Sequence, residues 1–142
     1  MATRSYIGRQ YQDGSIDYIY CHWDGYPAYN GYILQEHYTD SDKVDQLLAL
    51  GNLSSLAAEI GEKQDFNNRE LQNENWCLAY GRDRGEKDAQ ASSAKDLEHL
   101  FSNATFIDYV YIFAGGEWKC YNSYGKDEIK IPKKECDEKL VD

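Results

Sequence analysis

Residues 5–23, SYIGRQYQDGSIDYIYCHW, decide the fold, because they read as two strands folded back on each other. Segments 5–11 and 15–23 are rich in β-branched and aromatic side chains, and Gln12-Asp13-Gly14 between them carries the Asp-Gly signal of a tight hairpin. Alternation along the second segment sets Ile19, Cys21 and Trp23 on one face and Ile16, Tyr18, Tyr20 and His22 on the other. Both sets are largely apolar or aromatic, so this strand is expected to be covered on two sides.

Working outward, Gly25-Tyr26-Pro27 breaks the strand, and a short helix is expected near residues 30–38. Thr39-Asp40 then supplies an N-cap for a helix in which Val44, Leu47 and Leu48 recur at i, i+3 and i+4 and Gly51 is the stop. Ser54 to Ile60 reads as a shorter amphipathic turn, and residues 62–75 as a polar surface loop. Trp76 to Tyr80 is expected to be a short strand leading into a charged loop, Gly81-Arg82-Asp83-Arg84-Gly85-Glu86. Ser93 with Asp96 resembles a capping box ahead of a third helix whose buried stripe is Leu97, Leu100 and Phe101. Phe106 to Phe113 is a strand turned by Gly115-Gly116 into a partner around Trp118 to Tyr121.

This order predicts an α+β domain, a mostly antiparallel sheet of about five strands (two hairpins plus one strand) with about three helices packed on one face. The domain is expected over residues 1–125, with 126–142 a charged C-terminal extension in which only Ile129-Lys130-Ile131 is suited to pairing.

The formal net charge of -10 disfavours direct nonspecific binding to a phosphate backbone and favours a basic partner surface. Cys21, Cys77, Cys120 and Cys136 stand at long, irregular intervals, so no zinc or redox pair is expected and buried free thiols are. No apolar run approaches the ~20 residues of a membrane span, and the N-terminus has no secretory h-region, so the expected compartment is the cytosol.

Chemistry is expected to centre on Ile19 to Pro27, which packs a strand end, polar or ionisable side chains and a turn into nine residues. Cys21 beside His22 suggests a thiol nucleophile, but consecutive strand residues point to opposite faces, so a structural thiol is favoured. His22, Asp24 and His37 together would suit a metal or a hydrolytic centre, against the simpler reading of a hydrogen-bonding histidine and a turn-forming aspartate. Arg82 and Arg84, flanked by glycines in an acidic chain, suit a phosphate or carboxylate, against surface ion pairs with Asp83 and Glu86. Tyr20, Tyr26 and Tyr38 are the rings expected to line a pocket near the turn, whereas Trp23, Trp76 and Trp118 are expected in sheet packing. His22, Trp23, Asp24, Arg82 and Arg84 are expected to meet at one end of the sheet.

Arg4-Ser5-x-Ile7-Gly8, Asp13-Gly14, the run Tyr20 to Pro27, His37-Tyr38, Leu50-Gly51, Tyr80 to Gly85 and the closing Tyr-x-Tyr-x-Phe hairpin together resemble a group of small uncharacterised proteins of bacteriophages and bacterial genomes. The resemblance extends to Tyr121 and carries no catalytic residue over. It implies a phage or mobile-element accessory protein in a bacterial cytosol; together with the compact size and the lack of a recognisable catalytic set, this makes a non-enzymatic protein without a cofactor the expectation. Such a protein would counter a bacterial defence system by binding a host protein or sequestering a small nucleotide signal. Two alternatives stand beside this. One is an acidic mimic of nucleic acid that blocks a host enzyme, drawn from the net charge and the carboxylates over Asp40 to Asp45 and Asp83 to Asp88. The other is a small hydrolase or metal-dependent enzyme on His22, Asp24 and His37. Self-association is left open.

Overall fold

A computed structural model of the chain describes residues 2–133. The opening hairpin pairs β1 (Ser5–Gln10) with β2 (Ile16–Cys21) in antiparallel register from Ser5 opposite Cys21 to Gln10 opposite Ile16. A π-helical turn over Pro27–Gly31 runs into α1 (Tyr32–His37), and α2 (Ser41–Leu50) follows. Asp40 caps α2 by accepting the Asp42 N–H, Val44, Leu47 and Leu48 are buried, and Gly51 ends the helix at φ +78°, a conformation that favours glycine. After β3 (Leu53–Ser55) and a long irregular segment come β4 (Leu78–Ala79) and the helical turn α3 (Tyr80–Arg84). Then follow β5 (Ser92–Ala94), α4 (Leu97–Ser102), β6 (Tyr109–Ala114), β7 (Glu117–Asn122) and β8 (Glu128–Ile129).

The domain is α+β, but its sheet is mixed and larger than expected: eight strands and four α-helices among the described residues. The strand order is β4-β3-β2-β1-β6-β7-β8, with β5 pairing the Ile16–Tyr18 end of β2. The two hairpins join through β1 and β6, which run parallel from Ser5 opposite Tyr109 to Arg9 opposite Phe113. A second parallel contact pairs Cys21 of β2 with Leu53 of β3. Each hairpin thus presents one strand edge to the other, and satisfying both edges at once closes the centre of the sheet.

Helices pack on both faces, not one. Ile7, Ile19, Tyr111 and Phe113 face Leu34 of α1 and Val44 and Leu47 of α2, whereas Ile16, Tyr18, Val110 and Ile112 face Leu100 of α4. The two-sided apolar pattern of β2 and β6 requires this arrangement, since a strand apolar on both faces exposes one of them unless each is covered.

Three local readings change as well. Residues 53–55 are a strand, where 54–60 were expected to start a helical turn; Ser55 lies opposite Leu78 across an irregular register step. The charged segment 81–84 is helical, not a loop. Asp96, not Ser93, caps α4, accepting the His99 N–H at 2.8 Å, while Ser93 lies in β5 and its hydroxyl donates to Asp17. Beyond residue 125 the chain still belongs to the sheet, because β8 pairs with β7 and Ile131 is buried in the α1/α2 core. The remainder of the expected extension, with Cys136, lies outside the described residues.

Candidate functional site

The ladder between β2 and β3 continues past Cys21, with the His22 N–H donating to the Leu53 carbonyl and the Trp23 N–H to the Ser54 carbonyl, both at 3.0 Å. The chain then turns at Asp24, which has φ +58°. This turn is held from below. The Gly25 N–H donates to the Thr3 carbonyl, the Gly25 carbonyl accepts the buried Tyr111 hydroxyl at 2.6 Å, and the Asn30 amide donates to the Trp23 carbonyl at 3.2 Å. Held this way, Trp23 is directed outward and is 43% exposed, rather than packing into the sheet.

Beside Trp23 lies an open groove in two lobes of about 480 and 650 Å³. Its floor is the end of β3 and Leu78 of β4, and its outer wall is the segment from Gln64 to Trp76. Trp23 and Phe66 line the smaller lobe, and Tyr29 and Trp76 the larger; Asp24, Ser55, Arg69, Gln72 and Leu78 belong to both.

The outer wall has no regular structure beyond a 3-10 turn at Arg69–Leu71, so side chains hold it in place. Gln64 is buried; its backbone N–H donates to Asp83 at 2.8 Å, its side-chain amide donates to the Cys77 carbonyl, and its amide oxygen accepts the Asn73 N–H. The Gln72 amide donates to the carbonyls of Asp65 and Phe66. Trp76 packs directly against Gly61, where a Cβ would stand 2.3 Å from the indole and where φ is +71°, so only glycine admits this closure.

Of the residues singled out in the sequence, Trp23 and Asp24 line the groove. Tyr26 and Tyr38 are buried, and the Tyr38 hydroxyl donates to the Ala57 carbonyl at 2.8 Å. Tyr20 and His22 lie next to the groove on the α4 side of the sheet, with the Tyr20 hydroxyl 2.6 Å from His22 Nδ1 and the imidazole edge-on to Trp23. Arg82 is consumed by structure: it donates to the carbonyls of Ile60 and Cys77, both at 2.8 Å, and to its neighbour Asp83. Arg84 lies over the rings of Phe66 and Tyr80 and pairs with Glu86. Neither guanidinium lines the groove, so the expected joint site of Asp24 with both arginines is not formed.

The cation that does line it is Arg69, which makes no ion pair among the described residues. Sequence reasoning passed over Arg69 and Phe66 because they fall in a polar stretch without periodicity. An aromatic three residues before an arginine, in a segment otherwise mostly of amides and carboxylates, was the available signal.

Burial pushes the Cys21 thiol up to about 12, so it stays protonated at neutral pH. Burial and then the nearby Arg4 hold His22 below its usual range, leaving it neutral. His37 is exposed at the end of α1. Among the described residues no three His, Cys, Asp or Glu side chains are grouped to hold a metal ion, and no helix is long and apolar enough to cross a membrane. No family model, curated protein or solved structure matches the chain.

Proposed function

We propose that the chain is a non-enzymatic binding module that sequesters a small nucleotide, in the setting of a phage or mobile-element accessory protein that counters a bacterial defence. The observation that carries this reading is the smaller lobe, where two aromatic rings, Trp23 and Phe66, line the same space as the guanidinium of Arg69, which has no ion pair among the described residues. An aromatic face takes a base by stacking, and a guanidinium fork takes a phosphate. Both lobes fall within the roughly 300–1,000 Å³ of small-molecule sites. Asp83, Gln64 and Gly61 build the outer wall in advance, which lowers the ordering cost of binding.

Titration calorimetry against mononucleotides, with Trp23 fluorescence as a second readout, tests this. Affinity that falls roughly tenfold in Trp23→Ala and is also weakened in Arg69→Ala is expected; the absence of heat with every nucleotide would remove the reading.

The version in which a host protein is the target has its own observation. Phe106 and Tyr124 are 72% and 70% exposed and emerge from adjacent turns tied by the Ser123 N–H to the Asp108 carbonyl. Such rings serve as interface anchors. Capture of a host protein that is abolished by Phe106→Ser with Tyr124→Ser, and retained by Trp23→Ala, would select it. The acidic-mimic alternative is weakened, because Asp83 is buried under Arg82 and Asp45 pairs with Arg9.

A further inference from the structure

We infer that the groove takes a dinucleotide, two nucleosides joined by one phosphodiester, in preference to a mononucleotide or a nucleoside triphosphate. This rests on the nucleotide reading above and specifies its ligand.

The first ground is the division of the groove. Its two lobes each carry aromatic rings, Trp23 and Phe66 in one and Tyr29 and Trp76 in the other, and each lobe is by itself as large as a small-molecule site. Arg69 belongs to both lobes. Two ring-binding spaces with a cation on their shared wall match a ligand with a ring at each end and an anion between them. A mononucleotide fills one lobe and leaves the other to water.

The second ground is charge. Against the single guanidinium of Arg69 the groove sets two carboxylates, Asp24 on the shared wall and Glu74 in the larger lobe. A triphosphate brings three or more negative charges into that field and is repelled, whereas a phosphodiester brings one, which Arg69 matches. The Glu74 carboxylate accepts hydrogen bonds from the amino and imino groups of a base or from ribose hydroxyls, donors that a dinucleotide carries at both ends.

Tethering makes the second contact intramolecular, so a second stacked base raises affinity by roughly tenfold or more. Calorimetry on the full chain with adenylyl-(3′,5′)-adenosine and guanylyl-(3′,5′)-guanosine, against AMP, GMP and ATP, reads this directly. At least one dinucleotide is expected to bind roughly tenfold or more tighter than its mononucleotide and tighter than ATP. Trp23→Ala is expected to bring the dinucleotide down to the mononucleotide level, and Arg69→Gln to weaken both. Glu74→Gln is expected to narrow the gap between dinucleotide and ATP. All three positions are on the groove surface, so unchanged melting temperatures separate loss of binding from loss of fold. Equal affinity for mono- and dinucleotides, or preference for ATP, overturns this inference and leaves the nucleotide reading standing; no heat with any of the five overturns both.

Discussion

The buried carboxylate of Asp83 accepts the backbone N–H of Gln64 at 2.8 Å, and through that bond a helical turn beyond the edge of the sheet sets the outer wall of the groove. The same carboxylate accepts the Ala79 N–H at 2.7 Å and the Arg82 guanidinium at 3.0 Å. One side chain therefore joins β4, α3 and the 64–76 segment.

Replacing Asp83 by Ala leaves two backbone donors without their acceptor and takes the counter-charge from the largely buried Arg82 guanidinium, which keeps only the carbonyls of Ile60 and Cys77. A loss of about 3 kcal/mol or more in unfolding free energy is expected. Urea denaturation reads the loss, and proteolysis should find its first new cleavage sites within residues 64–76. A variant that melts as the wild type does would show that the wall is held by other means.

Trp23→Ala separates binding from stability. The ring is 43% exposed, so the change in unfolding free energy is expected to stay within about 0.5–1 kcal/mol, while nucleotide affinity falls roughly tenfold. Chemical denaturation and calorimetry on the same preparation provide the comparison. Binding unchanged by the substitution would remove the ring from the site.

The His22 imidazole is held below its ordinary 6.5 by burial first and by Arg4 second, so the folded state takes up its proton less readily than the unfolded chain. Its contribution to stability is complete above that value and is lost as the pH falls below it, through the window between the unfolded and folded values. In the imidazolium Nδ1 is a donor, so its contact with Tyr20 then needs the hydroxyl oxygen as acceptor. Denaturant midpoints should fall with pH below 6.5 less steeply in His22→Gln than in the wild type, and NMR titration should place the His22 midpoint below 6.5. A midpoint above that value would contradict the burial argument.

Burial pushes the thiols of Cys21 and Cys120 up to about 12, and it raises that of Cys77 as well. In a Cys136→Ser background at about pH 8, a thiol-specific disulfide reagent should leave the native protein unmodified and titrate all three thiols once it is unfolded. Rapid reaction in the native state would mean that one of these sites opens.

What could be read from the sequence was local. Asp13-Gly14 specified the first hairpin, Gly115-Gly116 the second, and the Asp40 cap with Val44, Leu47 and Leu48 specified α2, because each of these signals acts over a few residues. The parallel pairing of β1 with β6 has no such signal, since Arg4 and its bonded partner Asp108 are 104 residues apart. Although the two-faced apolar pattern of β2 pointed to cover on both sides, assigning all helices to one face ignored it. Ser92–Ala94 has two exposed residues and becomes a strand only because β2 offers it an edge. Within the candidate site, the turn at Asp24 was legible, whereas the outward direction of Trp23, a ring expected in sheet packing, was not. Arg82 was misread, because a guanidinium beside a carboxylate looks alike in sequence whether it faces water or, as here, the carbonyls of Ile60 and Cys77. Phe66 and Arg69 owe their place to the Asp83 anchor, which no periodicity announces.

The parallel contact of β1 with β6 also bears on the order in which the protein is made. A nascent chain that has left the ribosome as far as Leu100 holds the β1–β2 hairpin with its β1 edge, from Ser5 to Arg9, without a partner, because Tyr109 to Phe113 are still inside the ribosome. Until then Ile7 lies beside an open row of backbone donors and acceptors, a template for pairing with another chain. The centre of the sheet thus closes only when β6 emerges, and the time the ribosome takes to release residues 109–113 sets how long that edge stays open.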